Sequence, residues 1–259
     1  MTHRPEPAAF EASRDLDTAG STVLVGLPGL GLAGVIAVEH VADEFGLAER
    51  GHFDSERFPH VATYAEGRVR ESVRVYAGEG GEGANVTALL SDLVFPPRSF
   101  GALAEGVVEH LTDGCDQVVI PIGAPYESVE DHAAVTAVAT TDSLERTLRD
   151  AGVPPAPGVG TIGGPTGAIV DACVREGVPA VALVVGVEPY RPDPAAASAL
   201  LREGLEPVVD ATFDTSDLEA SADALAAGMA EMARQMQRVD AQEGFQRPPP
   251  EDDEPSMFQ

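Results

Sequence analysis

The stretch Ser21-Thr22-Val23-Leu24-Val25-Gly26-Leu27-Pro28-Gly29-Leu30-Gly31-Leu32-Ala33-Gly34 decides the fold. Its first six residues read as a short buried strand. A glycine-rich turn follows, and a helix is expected from there to about Phe45, carrying apolar Ile36, Val38, Val41 and Phe45. The same alternation recurs downstream. Asn85 to Leu90 reads as a strand closed by Phe95-Pro96-Pro97, Ser99 to Leu111 as a helix, and Gln117 to Ile122 as another buried strand. Asp142 to Asp150 is expected to be helical, with Glu145 placed for a capping box. A short strand at Val159 to Ile162, the loop Gly163-Gly164-Pro165-Thr166-Gly167, a helix to Glu176 and a strand from Ala180 to Val187 complete the series. Strands alternating with long helices predict an α/β fold, a mostly parallel sheet with helices on both faces. Phe58 to Tyr64 and Val69 to Ala77 alternate as strands around a turn at Glu66-Gly67, a hairpin expected at one sheet edge. The first twenty residues are polar and loosely patterned, and read as a flexible N-terminus ahead of a domain spanning 21–212.

Gly29-x-Gly31-x-x-Gly34 stands between strand and helix, the setting of a dinucleotide fingerprint, and Asp54 lies twenty residues past Gly34. A Rossmann unit needs a second parallel strand ending at that acid, yet Gly46 to Ser55 is polar. The glycines therefore read as permitting a tight turn and close helix–sheet packing. The Gly163 to Gly167 loop has no basic neighbour, and is expected to shape the carboxyl edge of the sheet, where a pocket can persist.

Composition excludes several functions. The formal charge is −27, and all 16 basic residues are arginine. A lysine-free acidic chain reads as adaptation to a salt-filled cytoplasm, where a Debye length of about 3 Å screens self-repulsion, so a halophilic source is expected. With no basic patch, nucleic acid is not an expected partner. Without lysine there is no Walker A loop, Schiff base or pyridoxal-phosphate anchor, so no nucleotide-driven role and no cofactor are expected. Met1 to Pro7 lacks the apolar core of a signal peptide, and the longest apolar runs, such as Val178 to Val187, are too short to span a bilayer. A soluble cytoplasmic protein without membrane contact is expected. Cys115 and Cys173 are far apart in sequence, which argues against a zinc site or disulfide framework.

No conventional catalytic set is present. There is no Gly-x-Ser-x-Gly elbow and no His-Glu-x-x-His. His40 and Glu44 form an i,i+4 pair that reads as a solvated helix face. His132, near Glu127, Glu130 and Asp131, reads as a loop histidine, and Cys173 as core. No catalytic residue and no metal ligand is assigned.

The end of the chain is more specific. Ser216-Asp217-Leu218-Glu219 is a capping box opening a helix expected within 213–240. Leu218, Ala222, Leu225, Met229, Met232, Met236 and Val239 follow at steps of four and three, a heptad seam of about three repeats. Such a seam either joins subunits or packs on its own domain. Residues 241–259 form an acidic, proline-rich tail that cannot fold alone and finishes in Met257-Phe258-Gln259. Two apolar side chains and a terminal carboxylate on a tether suit insertion into a pocket elsewhere.

Val25 to Gly34, Phe58-Pro59-His60-Val61-Ala62, Leu89-Leu90-Ser91-Asp92, Gly160 to Gly167 and Glu188-Pro189-Tyr190-Arg191-Pro192-Asp193-Pro194-Ala195-Ala196 jointly resemble the archaeal branch of the proteasome assembly chaperone family. The resemblance implies a domain similar to nucleoside phosphorylases without their active site, homo-oligomers, and in some members a C-terminal docking signature. Met257, Phe258 and Gln259 match that signature, with Phe258 where Tyr is usual, a lost hydroxyl worth about 1 kcal/mol. The implied function is a non-enzymatic, ATP-independent chaperone or activator that docks on proteasome core particle α-subunits. Leu218, Leu225, Met229, Met232 and Met236 would join its subunits. A nucleosidase- or hydrolase-like enzyme using the glycine loops, and a scaffold binding through its C-terminal helix, are the alternatives.

Overall fold

A computed structural model describes residues 6–78, 85–126, 128 and 131–221. In chain order the elements are β1 (Ala9–Ala12), β2 (Thr22–Gly26), a 3-10 turn (Leu30–Leu32), α1 (Ala33–Glu44), β3 (Ala48–Asp54), β4 (Thr63–Ala65), β5 (Arg68–Arg70), β6 (Val73–Ala77) and β7 (Val86–Ser91). There follow α2 (Pro97–Leu111), β8 (Gln117–Pro125), β9 (Val135–Ala139), α3 (Asp142–Asp150), α4 (Gly164–Glu176) and β10 (Ala180–Val187). Then come α5 (Pro194–Ala199), a π-helical stretch (Leu200–Leu205) and α6 (Glu206–Val209).

Eight strands form one sheet in the order β1-β3-β6-β7-β2-β8-β10-β9, and β4 and β5 make a separate hairpin. The four central strands β7, β2, β8 and β10 are parallel, as the alternating pattern predicts, and antiparallel strands extend the sheet on both sides. Along β2 the side chains divide between two cores with the period of two that a strand imposes. Leu24 packs with Val38 and Val41 of α1 and with Leu200, Leu201 and Leu205. Val23 and Val25 face the other way, with Leu103 and Val107 of α2 and Ile169 of α4. Helices thus cover both faces, which is why β2 is buried at every position. Among the described residues no helix is long and apolar enough to cross a membrane.

Four expectations need correction. The N-terminus is not irregular throughout 1–20: Ala9–Ala12 pairs antiparallel with β3, and Ala8 is fully buried, its N–H donating to the Ala102 carbonyl at 2.8 Å. Backbone pairing places this strand while its side chains stay largely exposed, so no hydrophobic period marks it. The polar stretch 46–55 contains β3, an antiparallel strand between β1 and β6. Asp54 does end a strand, but two other strands separate it from β2, so it is no ribose-binding acid of a Rossmann unit. Strand structure between Phe58 and Ala77 is confined to β4, β5 and β6. Val159 to Ile162 is a loop.

The turn after β2 sets how closely α1 can lie on the sheet. A Cβ on Gly34 would sit 2.1 Å from the Pro121 carbonyl oxygen of β8. Alanine is the better helix former, yet Gly34→Ala is expected to destabilise the protein by about 1–3 kcal/mol through overpacking, read as a lower urea midpoint at unchanged slope.

Candidate functional site

The carboxyl ends of β2, β8 and β10 open into a cleft of about 550 Å³. One wall is the turn at Leu27, Pro28 and Gly29; the other is the loop from Ala156 to Thr166, which ends in the first turn of α4. Ile122, Val138 and Val184 line it from the strands. Both glycine loops singled out in the sequence therefore meet at one site, where a doubly wound sheet is expected to hold ligands. At Gly160 and Gly163 a Cβ would meet nothing within 4 Å, so packing does not demand glycine there.

Among the described residues no lining side chain carries a charge, and the only lining hydroxyls belong to Thr161 and Thr166. Such walls hold an uncharged molecule of modest size with a few hydrogen bonds. They offer no side-chain acid or base.

Beside the cleft, His132 Nε2 lies 2.8 Å from Asp193 Oδ2. Asp193 is buried and caps α5, accepting from the Ala196 N–H at 3.1 Å and the Glu188 N–H at 3.0 Å. Its own N–H donates to the Gly31 carbonyl at 2.7 Å. Burial works against the Asp193 carboxylate, but these hydrogen bonds and His132 together hold its pKa below the ordinary carboxylate value. Tyr126 meets His132 edge to face at 5.3 Å. The cluster pins the exit of β10 to the turn after β2, a structural task. Asp193 escaped the sequence reading, although an Asp directly before a Pro at the first helical position is a cap signal.

The remaining candidates are dispersed. His40 Nε2 is 3.1 Å from Glu44, the i,i+4 pair expected on α1. Burial pushes the Cys173 thiol up to about 12, which leaves it inert as a nucleophile. Among the described residues no group of three His, Cys, Asp or Glu side chains is placed to hold a metal. Leu218 packs against the core on the α1 side of the sheet, so the first seam residue faces its own domain. Leu225, Met229, Met232, Met236, Met257, Phe258 and Gln259 lie outside the described residues, as do Glu127 and Glu130.

A family model described as the PAC2 family matches residues 23–233, most of the chain. The chain belongs to the PAC2 family. An uncharacterized protein of Methanocaldococcus jannaschii is 24% identical over 226 residues, 87% of this chain and 91% of its own. Among solved structures, Pyrococcus furiosus PbaA, an archaeal homolog of proteasome-assembly chaperone, is 22% identical with a TM-score of 0.76, covering 93% of this chain and 98% of that one. Pyrococcus furiosus PbaB, an archaeal proteasome activator, gives 0.77 at 19% identity, covering 90% and 100%. A proteasome-assembly chaperone homologue from Mycobacterium tuberculosis gives 0.61 at 24% identity, covering 82% and 94%. These likenesses establish the α/β fold, and the PAC2 match spans both glycine loops and Asp193.

In this PAC2-family chain, Asp193→Ala removes a helix cap and is expected to cost about 1–2 kcal/mol at pH 7. An unfolded aspartate titrates near pH 3.9. Because the folded carboxyl titrates lower, its stabilisation is complete above that value and is lost as pH falls through the folded pKa. Urea denaturation across pH should show the gap between wild type and variant narrowing below about pH 4.

Proposed function

We propose that this protein is a non-enzymatic, ATP-independent proteasome-associated chaperone or activator in the cytoplasm, docking through its C-terminal tail. The observation that carries the reading is the terminal Met257-Phe258-Gln259 on a chain of the PAC2 family. The names of PbaA and PbaB, a chaperone homolog and a proteasome activator, support the choice of partner. That solved neighbours are described as a chaperone homolog and an activator, rather than as enzymes, supports a role without catalysis.

The mechanism follows from the chemistry of the tail. The terminal carboxylate of Gln259 would meet a cation between core particle α-subunits, and Met257 and Phe258 would fill the apolar part of that pocket. In concentrated salt the charge contributes little, so burial of Phe258 dominates at about 1.5–3 kcal/mol. Several tails acting together raise avidity by about two orders of magnitude. Because Leu218 packs on its own domain, a subunit-joining seam would be carried by Leu225, Met229, Met232 and Met236.

A second reading, a nucleosidase-like enzyme working at the glycine loops, has the position and size of the cleft in its favour. It predicts nucleoside binding indifferent to the tail.

Core particle retention in molar KCl tests both. Deleting Met257, Phe258 and Gln259 is expected to abolish it, Phe258→Ala to weaken it roughly tenfold or more, and Phe258→Tyr to strengthen it severalfold. Retention unchanged by the deletion would sink the docking reading.

A further inference from the structure

The cleft opens where two neighbouring strands part. β8 stays paired with β10 as far as Pro125, and β2 stays paired with β7 as far as Gly26. With each other, β2 and β8 pair only up to Leu24 and Val119. The register gives the cause. The Val118 N–H donates to the Pro179 carbonyl just ahead of β10, so the backbone of residue 118 faces β10. Alternation along the strand then turns residues 119, 121 and 123 toward β2. Residue 121 is proline, which has no N–H to carry the ladder on. Past it, the N–H and the carbonyl of Gly123 face the gap, and Gly123 lines the cleft. Among the described residues no acceptor outside the strand ladders takes the Gly123 N–H.

The walls leave room in front of that backbone pair. Gly29 belongs to one wall, Gly160 and Gly163 to the other. None of the three has a positive φ, and an added Cβ would meet nothing nearer than 4.0 Å. Neither strain nor packing requires glycine at these positions, so their effect is to keep both walls clear. The lining holds neither acid nor base among the described residues. An ionised ligand would therefore give up its hydration with no counter-charge to replace it. Backbone groups open to a cleft are served by water, and a ligand displaces that water without loss only when it reproduces both bonds. It must then carry an acceptor and a donor side by side on an uncharged body.

We propose that the cleft binds a small uncharged secondary amide with a flat apolar body. The amide carbonyl accepts from the Gly123 N–H, and the amide N–H donates to the Gly123 carbonyl. The body lies between the Gly29 and Gly160 walls, where the volume of about 550 Å³ suits a ring of one or two cycles. The ligand thus takes up on β8 the pairing that Pro121 interrupts. This binding requires neither docking of the tail nor catalysis at the cleft, so its failure would leave both of those readings standing.

Amide resonances of the isotope-labelled full-length chain test it, during titration with oxindole and isoindolinone, two flat uncharged lactams. A Kd of about 1 mM or tighter is expected for at least one of them. The Gly123 resonance should move, while that of Gly177, at the far end of α4, stays in place. The N-methyl counterparts keep the carbonyl and lose the donor, and should bind at least fivefold more weakly. Benzoate, a flat anion of similar size, should not bind. Gly160→Leu fills one wall and is expected to weaken binding at least tenfold at an unchanged melting temperature. If that variant melts lower, the N-methyl comparison on wild type still decides. Absence of binding by both lactams at about 10 mM would overturn the proposal. So would equal binding of the N-methyl forms, preference for benzoate, or shifts that spare Gly123.

Discussion

The near-contact of helix α1 with strand β8 is the constraint on which the rest of the structure depends. At Gly34 the helix backbone approaches the Pro121 carbonyl so closely that no side chain fits between them. At Gly31, with φ of +65°, the turn folds back against Val187 of β10, where a Cβ would lie 2.8 Å away. Those two approaches seat the β2–α1 turn across the ends of three parallel strands. The cleft, the anchoring of Asp193 to Gly31 and the packing of α5 beside α1 all inherit their geometry from this seat. A glycine pattern that resembles a nucleotide fingerprint is used here for packing, with the β8 backbone at Pro121 and the Val187 side chain of β10 occupying the space behind it.

The acidic composition leaves few cations, and the structure spends some of them inside. Arg74 is almost fully buried, donating to Asp92 at 2.7 Å, to the Glu71 carbonyl at 2.6 Å and to the Tyr76 hydroxyl at 2.9 Å. Burial opposes its charge, but the bonds to Asp92 and Tyr76 prevail and raise its pKa above the ordinary value. A lysine could not serve all three acceptors in one plane, which gives the arginine-only basic set a structural use as well as a surface one. Asp92 also receives Arg70, so one carboxylate ties β6, the exit of β7 and the β4–β5 hairpin together.

The parts legible in the sequence are those whose burial is symmetrical or whose caps are local. Strands β2, β8 and β10 stood out as apolar runs because both faces are covered, and α3 because its acidic first turn is a local signal, although its cap is Thr141, accepting from the Leu144 N–H, and Glu145 pairs with Arg149 instead of closing a capping box. Strand β3 was hidden because Glu49, Arg50 and His52 make it polar, and its place is fixed by ladder bonds to distant β1 and β6. Strand β9 was missed for a related reason: Ala and Thr alternate with Val at positions that only pairing with β10 explains. The convergence of the glycine loops on one cleft was readable as an edge-of-sheet rule, but its lack of charge was not. That neutrality depends on which side chains of β8, β9 and β10 point inward, a matter of register rather than of composition.

A body this acidic repels most protein surfaces of its own kind at low salt, and screening in concentrated salt removes repulsion and attraction alike. Partner contacts must then draw their free energy from apolar burial, with charge setting orientation. The docking proposed for the tail follows that arrangement, with Phe258 as its apolar group. An aromatic ring suits such a contact, because it buries much area at little entropic cost. Among the described residues the cleft lining carries no ionisable side chain, so a ligand there would be held by apolar burial and the hydroxyls of Thr161 and Thr166.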